Sequence, residues 1–161
     1  AGPLGHGVAI GVGMALAGRL DGLDYRTYVL LGDGELQSGI IWEGAMAAAK
    51  FGLDHLTVIV DANDVQLDGP VHTVMPVEPL ADKWRAFGWH VIDTDGHNIR
   101  ALLDALELST RVKGRPTVII ARTTKGRGIS FMENKSGWHG RVPTAEEYHR
   151  AKAELEGYVN D

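Results

Sequence analysis

Four short, mostly apolar runs, separated by segments with the apolar spacing of helices, constrain the fold more than any other feature of the sequence. The runs lie at Thr27–Leu31, Leu56–Val60, Trp89–Ile92 and Thr117–Ala121. Strands that are apolar along their whole length are typical of parallel sheets, because helices cover both faces of such sheets. The alternation of strands and helices therefore predicts an α/β fold, in which a parallel sheet is flanked by helices on both faces.

Helical segments are predicted between and around these strands, at Gly5–Leu20, Trp42–Phe51, Pro79–Phe87 and Ile99–Leu108. Asn98 is predicted to cap the fourth of these helices, and the Thr144–Glu147 stretch fits a capping box that opens a last helix. Glycines inside the first helix lower its intrinsic stability, so we expect them to mark close packing. The polar, glycine-rich stretch from Thr123 to Val142 is too long for a simple turn and is predicted to be a functional loop.

Composition excludes several classes of protein. The chain has 161 residues, of which 44% are hydrophobic, which is enough for the core of one ordinary domain. A formal net charge of −5, without any Lys/Arg block, argues against nucleic-acid binding. The absence of cysteine removes disulfides and thiolate metal sites and is compatible with a cytoplasmic protein. No apolar run reaches membrane-spanning length, so no membrane association is expected.

The main functional signal is Gly32-Asp33-Gly34 at the end of the first predicted strand. Ligands of open parallel sheets bind beyond the carboxyl ends of the strands, where glycines let a diphosphate approach the backbone. The second strand ends in Asp61-Ala62-Asn63, and Asn63 lies thirty residues after Asp33. Asp33 is expected at a loop tip outside the core, so that its replacement would cost little packing. Three other Asp-Gly pairs occur in the chain, so the pair alone is also compatible with a plain turn.

The pairing of one carboxylate with one amide oxygen suits a hard divalent cation. Mg²⁺ prefers about six oxygen ligands and shares them with phosphate groups and water. The Asp33 carboxylate, the Asn63 amide oxygen and a nearby backbone carbonyl would leave room for two phosphate oxygens and a water. A neutral Asn is suitable because a diphosphate brings negative charge of its own.

Three motifs in this order resemble the transketolase family. The run from Gly32-Asp33-Gly34 to Asn63 is similar to the thiamine diphosphate signature, and the surrounding sequence is similar to transketolases in particular. The opening Gly2–Gly7 segment resembles that family's Gly-Pro-Leu-Gly-Gln-Gly, with His6 in place of the usual Gln. Lys125–Gly128 and Trp138–Gly140 resemble the later loop that carries an active-site histidine. The resemblance covers nearly the whole chain and implies the thiamine diphosphate-binding fold.

The resemblance also implies roles for individual residues. Three would hold Mg²⁺ (or Ca²⁺ or Mn²⁺), through two side chains and one carbonyl: Asp33, Asn63 and Val65. Five would contact thiamine diphosphate: Gly2, Pro3 and Leu4 as a wall, Gly34 at the diphosphate, and His139. His139 would also be catalytic, although a solvated loop histidine is the alternative interpretation. The remaining histidines from His55 onward lack metal-ligand spacing and are interpreted as structural or surface residues.

The implied activity is transfer of a two-carbon ketol unit between sugar phosphates. The partner pyrimidine domain of this family, with the glutamate that activates the cofactor, has no counterpart in the sequence. We therefore expect residues 1–161 to be a single diphosphate-binding domain, truncated at its N-terminus, that is inactive without a C-terminal transketolase subunit. A homo- or hetero-oligomer is expected.

Three alternatives remain open at this stage. The chain could belong to another thiamine diphosphate enzyme, either 1-deoxyxylulose-5-phosphate synthase or an alpha-type 2-oxoacid dehydrogenase subunit, because these enzymes share the spacing from Gly-Asp-Gly to Asn. A noncatalytic fragment that keeps the fold is also compatible with the motifs. A nucleotide site at Gly5–Gly13 is weakly indicated, because no strand precedes these glycines.

Overall fold

A computed structural model of the chain describes residues 2–158. Within this range six α-helices form, namely α1 (His6–Leu20), α2 (Gly39–Lys50), α3 (Val71–Val74), α4 (Leu80–Ala86), α5 (Ile99–Arg111) and α6 (Ala145–Tyr158). The β-strands of the same range are β1 (Thr27–Gly32), β2 (Leu56–Ala62), β3 (Val65–Gln66), β4 (Gly69–Pro70), β5 (His90–Asp95) and β6 (Thr117–Arg122).

The four long strands form one parallel sheet in the order β1-β2-β6-β5, which confirms the predicted parallel architecture. Their register brings Gly32 beside Asp61 and Ala62 beside Arg122. The carboxyl ends of β1, β2 and β6 therefore meet at the same edge of the sheet. Immediately after β2 the chain forms a small antiparallel hairpin of β3 and β4, where the sequence predicted only a loop.

One face of the sheet carries the main core. Alternate residues of the strands, such as Leu31, Val60 and Ile120, pack here beneath α1, α2 and α4, and all three are at most 2% exposed. Trp84 of α4 is fully buried and lies 4.8 Å from the Trp89 ring, centroid to centroid.

The glycines of α1 allow that helix to approach the sheet closely. A Cβ atom on Gly11 would lie 2.6 Å from Cγ2 of Val29, and one on Gly18 would lie 2.7 Å from the Tyr25 ring. These contacts confirm that close packing explains Gly11 and Gly18, whereas Gly13 of the same helix has open space around it. Gly11 therefore faces β1 and does not line an open surface.

The other face of the sheet is covered by α5, which packs on β5 and β6. Ile119 points to this side and is 1% exposed. On β1 the side chains of the same face remain accessible, since Tyr28 is 47% and Leu30 is 72% exposed. Helices thus flank both faces, but α5 covers only the β5–β6 half of its face. The predicted N-cap is present, because Asn98 Oδ1 accepts the Ala101 N–H at 3.1 Å.

The loop from Thr123 to Val142 is irregular apart from one short 3₁₀ turn, Ser136–Trp138. Helix α6 follows it and opens with the predicted capping box, in which Thr144 N–H donates to Glu147 at 2.8 Å and Glu147 N–H donates to Thr144 at 3.3 Å. Helix α2 begins at Gly39, three residues before the predicted start. Within residues 2–158, no helix combines the length and apolar character needed to span a membrane.

Candidate functional site

The ends of β1 and β2 are joined by the Asp33 carboxylate. Its Oδ2 accepts the backbone N–H of Asp64 at 2.6 Å, and its Oδ1 accepts the N–H of Gly34 at 2.8 Å. The Asp33 N–H in turn donates to the Asp61 carbonyl at 3.2 Å. Two loops that are thirty residues apart in sequence are therefore held together by hydrogen bonds at the carboxyl edge of the sheet, as their placement at strand ends predicts.

The Asp33 side chain is not at an exposed loop tip, and the expectation that it would be is wrong. The residue is 4% exposed. Burial raises the pKa of its carboxyl group above the ordinary value, and the N–H groups of Asp64 and Gly34 partly oppose that shift by stabilising the carboxylate. A buried carboxylate is costly unless it is hydrogen-bonded or paired with a cation. The two hydrogen bonds supply part of this compensation, and a metal ion would supply the rest.

Asn63 lies in the tight turn between β2 and β3, and Val65 is the first residue of β3. The Asn63 Oδ1 atom accepts the Val65 N–H at 2.9 Å, which fixes the side-chain amide over the turn. Between them Asp64 has a φ of 59°, a left-handed conformation that Asp tolerates better than most residues. The Asp64 carboxylate accepts the backbone N–H of His72 at 3.0 Å and pairs with the His72 ring. His72 of α3 thus stabilises this turn through its contacts with Asp64.

Gly34 begins a short 3₁₀ turn, Gly34–Gln37, directly after Asp33. A Cβ atom at Gly34 would lie 2.9 Å from Cβ of Gln66 in β3, so only glycine fits without a shift of the hairpin.

The Gly2-Pro3-Leu4 segment lies beside this loop. All three residues are exposed, and the segment leads into α1 through Gly5. The Gly5 N–H donates to Oε1 of Glu35 at 2.7 Å. This contact thus joins the Gly2–Gly7 motif to the loop after β1, although Gly5 and Glu35 are thirty residues apart.

A polar cavity of about 400 Å³ opens where β2, β5 and β6 end. Its wall includes Asn63, His97, Thr123 and Lys125. The Thr123 hydroxyl donates to the Asp61 carboxylate, and the Thr124 N–H donates to Nε2 of His97 at 2.6 Å. Lys125 belongs to one of the motifs that resemble transketolases, but no role was predicted for it from the sequence. Lys125 follows the carboxyl end of a buried strand, as Asn63 does, and this position could have identified it as a candidate site residue.

The structure does not bring His139 to the other predicted residues. The histidine is exposed, it follows the 3₁₀ turn at Ser136–Trp138, and its N–H donates to the Ser136 carbonyl at 2.8 Å. Within residues 2–158, its imidazole makes no hydrogen bond to Asp33 or Asn63. An apolar cavity of about 680 Å³ lies between this loop and α6, but its lining offers little to an anionic ligand.

Asp33 and Asn63 are residue types whose oxygen atoms bind hard divalent cations. Asp33 lines one cavity, of about 250 Å³, with Asp64 and His72, whereas Asn63 lines the neighbouring polar cavity with Lys125. Within the described residues no group of three or more His, Cys, Asp or Glu side chains could hold a metal by itself. A cation here would therefore need further ligands from the backbone, from water or from the bound anion.

The parallel α/β fold, with polar loops at the carboxyl ends of its strands, is found together with a sequence match to a known protein family. The chain belongs to the transketolase family, because residues 1–159 match the family described as "Transketolase, thiamine diphosphate binding domain". It is 44% identical over 154 residues to one subunit of an apulose-4-phosphate transketolase from Phocaeicola vulgatus, and 47% identical over 155 residues to one subunit of a 6-deoxy-6-sulfo-D-fructose transketolase from a Clostridium species. Both matches cover 96% of this chain.

Solved structures agree with this assignment. A transketolase from Campylobacter jejuni superposes with a TM-score of 0.89 and 32% identity, over 94% of this chain and 25% of that one. A transketolase from Leishmania mexicana gives 0.87 and 33%, over 97% of this chain and 25% of that one. The chain spans about half the length of the two curated relatives, 55% and 56% respectively.

Proposed function

We propose that this chain holds the diphosphate of thiamine diphosphate through a divalent metal ion and forms the diphosphate-binding half of a transketolase. The observation that carries the proposal is the hydrogen bond from Asp64 N–H to Asp33, which joins the ends of β1 and β2 at 2.6 Å. Asp33, Asn63 and the Val65 carbonyl would bind Mg²⁺, or Ca²⁺ or Mn²⁺ in its place.

The diphosphate itself would lie on the backbone of Gly34. Lys125 would add a cation from the loop after β6, where it shares the polar cavity with Asn63. The Gly2-Pro3-Leu4 segment would form a wall beside the rest of the cofactor.

Transfer of a two-carbon ketol unit between sugar phosphates is the activity that these residues would support. When bound, thiamine diphosphate supplies the electron sink for breaking and forming the carbon–carbon bond, and the protein orients it. His139 would donate a hydrogen bond to the oxygen that develops negative charge, or relay a proton there. Its exposed loop would reach the site when substrate or a partner domain closes over it.

A partner chain is part of the proposal. This chain spans 55% of the apulose-4-phosphate relative, and the name of that relative describes it as one subunit of a transketolase. A C-terminal transketolase subunit with the pyrimidine domain would complete the site, so that this chain alone is inactive. Names of relatives at 44% and 47% identity favour transketolase over the other thiamine diphosphate enzymes.

Calorimetric titration of the complete natural assembly with thiamine diphosphate tests the metal bridge. Binding is expected with Mg²⁺ and is expected to disappear after addition of a chelator. Equal binding under both conditions would contradict the proposal. Ketol transfer assayed with and without the partner chain separates a catalytic half from a noncatalytic fragment, since only the former gains activity on mixing.

A further inference from the structure

The Glu35 carboxylate connects two parts of the candidate site that are distant in sequence. One oxygen accepts the Gly5 N–H at 2.7 Å, and the other accepts the Gly32 N–H at 3.3 Å. Gly5 directly follows the Gly2-Pro3-Leu4 segment, and Gly32 is the first residue of the Gly-Asp-Gly motif. A single side chain therefore holds the Gly2-Pro3-Leu4 segment at a fixed separation from the Gly32-Asp33-Gly34 loop, which is the diphosphate loop of the proposed function.

The junction around Gly5 is closely packed and depends on glycine. Gly5 is buried and has a φ of 82°. A Cβ atom there would lie 2.5 Å from Oγ of Ser38. Because Gly5 is the N-cap residue of α1 and has no side chain, it cannot cap the helix, and the first turn of α1 contains no acidic residue. Glu35 places a carboxylate at this end of α1 from outside, where the positive end of the helix dipole favours a negative charge.

We propose that Glu35 is a positioning residue, which sets the place of Gly2-Pro3-Leu4 relative to the diphosphate loop. The inference rests on the proposed function. In that arrangement the diphosphate contacts the metal ligands and Gly34, whereas the wall segment contacts only the remainder of the cofactor. Loss of the Glu35 carboxylate should therefore weaken binding of the whole cofactor while leaving binding of the diphosphate group intact.

Two ligands separate these effects in the complete natural assembly. Titration calorimetry of Glu35→Ala would measure affinity for thiamine diphosphate and for inorganic diphosphate, each with Mg²⁺. Loss of a charge-assisted hydrogen bond should weaken thiamine diphosphate binding by roughly tenfold to a hundredfold. Affinity for inorganic diphosphate should keep its wild-type value, a split that a general loss of structure would not produce.

Two matched variants complete the design. Glu35→Gln keeps an oxygen acceptor for the Gly5 N–H and should restore most of the thiamine diphosphate affinity. Glu43→Ala removes an exposed carboxylate from α2 and should leave both affinities unchanged. Amide hydrogen exchange at Gly5 should become faster in Glu35→Ala than in Glu43→Ala, which reports the lost contact without any ligand.

The failures of the two proposals are distinguishable. Wild-type protein that binds neither ligand would overturn the proposed function. If wild type binds both ligands, equal weakening of both in Glu35→Ala, or no weakening of either, would overturn the positioning role. Unchanged exchange at Gly5 would overturn it as well. If Glu35→Ala fails to fold, Glu35→Asp carries the same comparison, because its shorter side chain cannot span both N–H groups, and absence of the split in that variant would overturn the role.

Discussion

The Asp33 carboxylate and the Asp64 N–H are joined across two strand ends by a hydrogen bond of 2.6 Å. The contact makes a buried carboxylate part of the framework as well as a ligand of the proposed metal. Removal of that side chain should therefore affect binding and stability together.

Asp33→Ala should abolish metal-dependent thiamine diphosphate binding and also lower the free energy of unfolding. The variant leaves the N–H groups of Gly34 and Asp64 without their acceptor, which costs about 1–3 kcal/mol for each group that remains unsatisfied. Asp33→Asn keeps one acceptor oxygen and should lose binding with a smaller loss of stability. Calorimetry and urea denaturation would measure the two effects, with the exposed Asp68→Asn as control. Normal binding by Asp33→Ala would refute the assignment.

His139→Ala should lower kcat in the complete assembly far more than it weakens cofactor affinity. Removal of one hydrogen-bond donor to a developing negative charge typically reduces kcat by about a hundredfold to a thousandfold. The metal bridge through Asp33 and Asn63 is expected to retain the cofactor in this variant. Steady-state kinetics and cofactor titration would separate the effects, and His149→Ala, an exposed histidine on α6, serves as control. An unchanged kcat would contradict a catalytic role and would show that His139 is a surface residue.

Gly11→Ala should destabilise the fold by about 1–3 kcal/mol, the usual cost of overpacking a core. The added methyl group would lie 2.6 Å from Cγ2 of Val29 and 3.2 Å from Cδ1 of Leu56. Gly13→Ala is the matched control, because this glycine lies on the same helix with open space around it. The control should stabilise by up to about 1 kcal/mol through its higher helix propensity. Equal effects of the two changes in thermal denaturation would show that α1 and β1 are not closely packed.

Stability should fall on mild acidification because of His90. Burial, and then the Arg115 guanidinium, lowers the pKa of this imidazole below its ordinary value of 6.5. In the unfolded chain the histidine titrates near 6.5. Below this pH the unfolded state binds more protons than the folded state, so the free energy of unfolding decreases as the pH falls toward the folded-state pKa.

His90→Phe should reduce that dependence on pH. Urea denaturation at about pH 7 and about pH 5.5 would show a smaller loss of stability than in wild type, since this range spans the ordinary histidine pKa. His149→Phe alters an exposed residue of α6 and should keep the wild-type difference. A variant with the same difference as wild type would show that another group causes the acid sensitivity.

Strands and capping residues could be predicted from sequence because their signals are local. The apolar runs of β1, β2 and β6 ended within two residues of the predicted bounds, and Asn98 and Thr144 cap helices where their patterns indicated. The hairpin of β3 and β4 escaped prediction because it consists of two-residue strands, too short for any periodic pattern. Helix α2 starts early, at Gly39, directly after Ser38, whose extended backbone separates the 3₁₀ turn from the helix and forms the N-cap position.

The sequence by itself determined the parallel sheet, the two strand-end motifs and the family, because each is recognised from residues that are close together or at a fixed spacing in the chain. Only the tertiary structure decided how the motifs meet. It buries Asp33, which the sequence suggested would be exposed, and it places Lys125 in a cavity with Asn63. It joins Gly5 to Glu35 and leaves His139 exposed and apart. These relations depend on strand order and on the paths of loops, which are set by packing between distant segments and not by local preference.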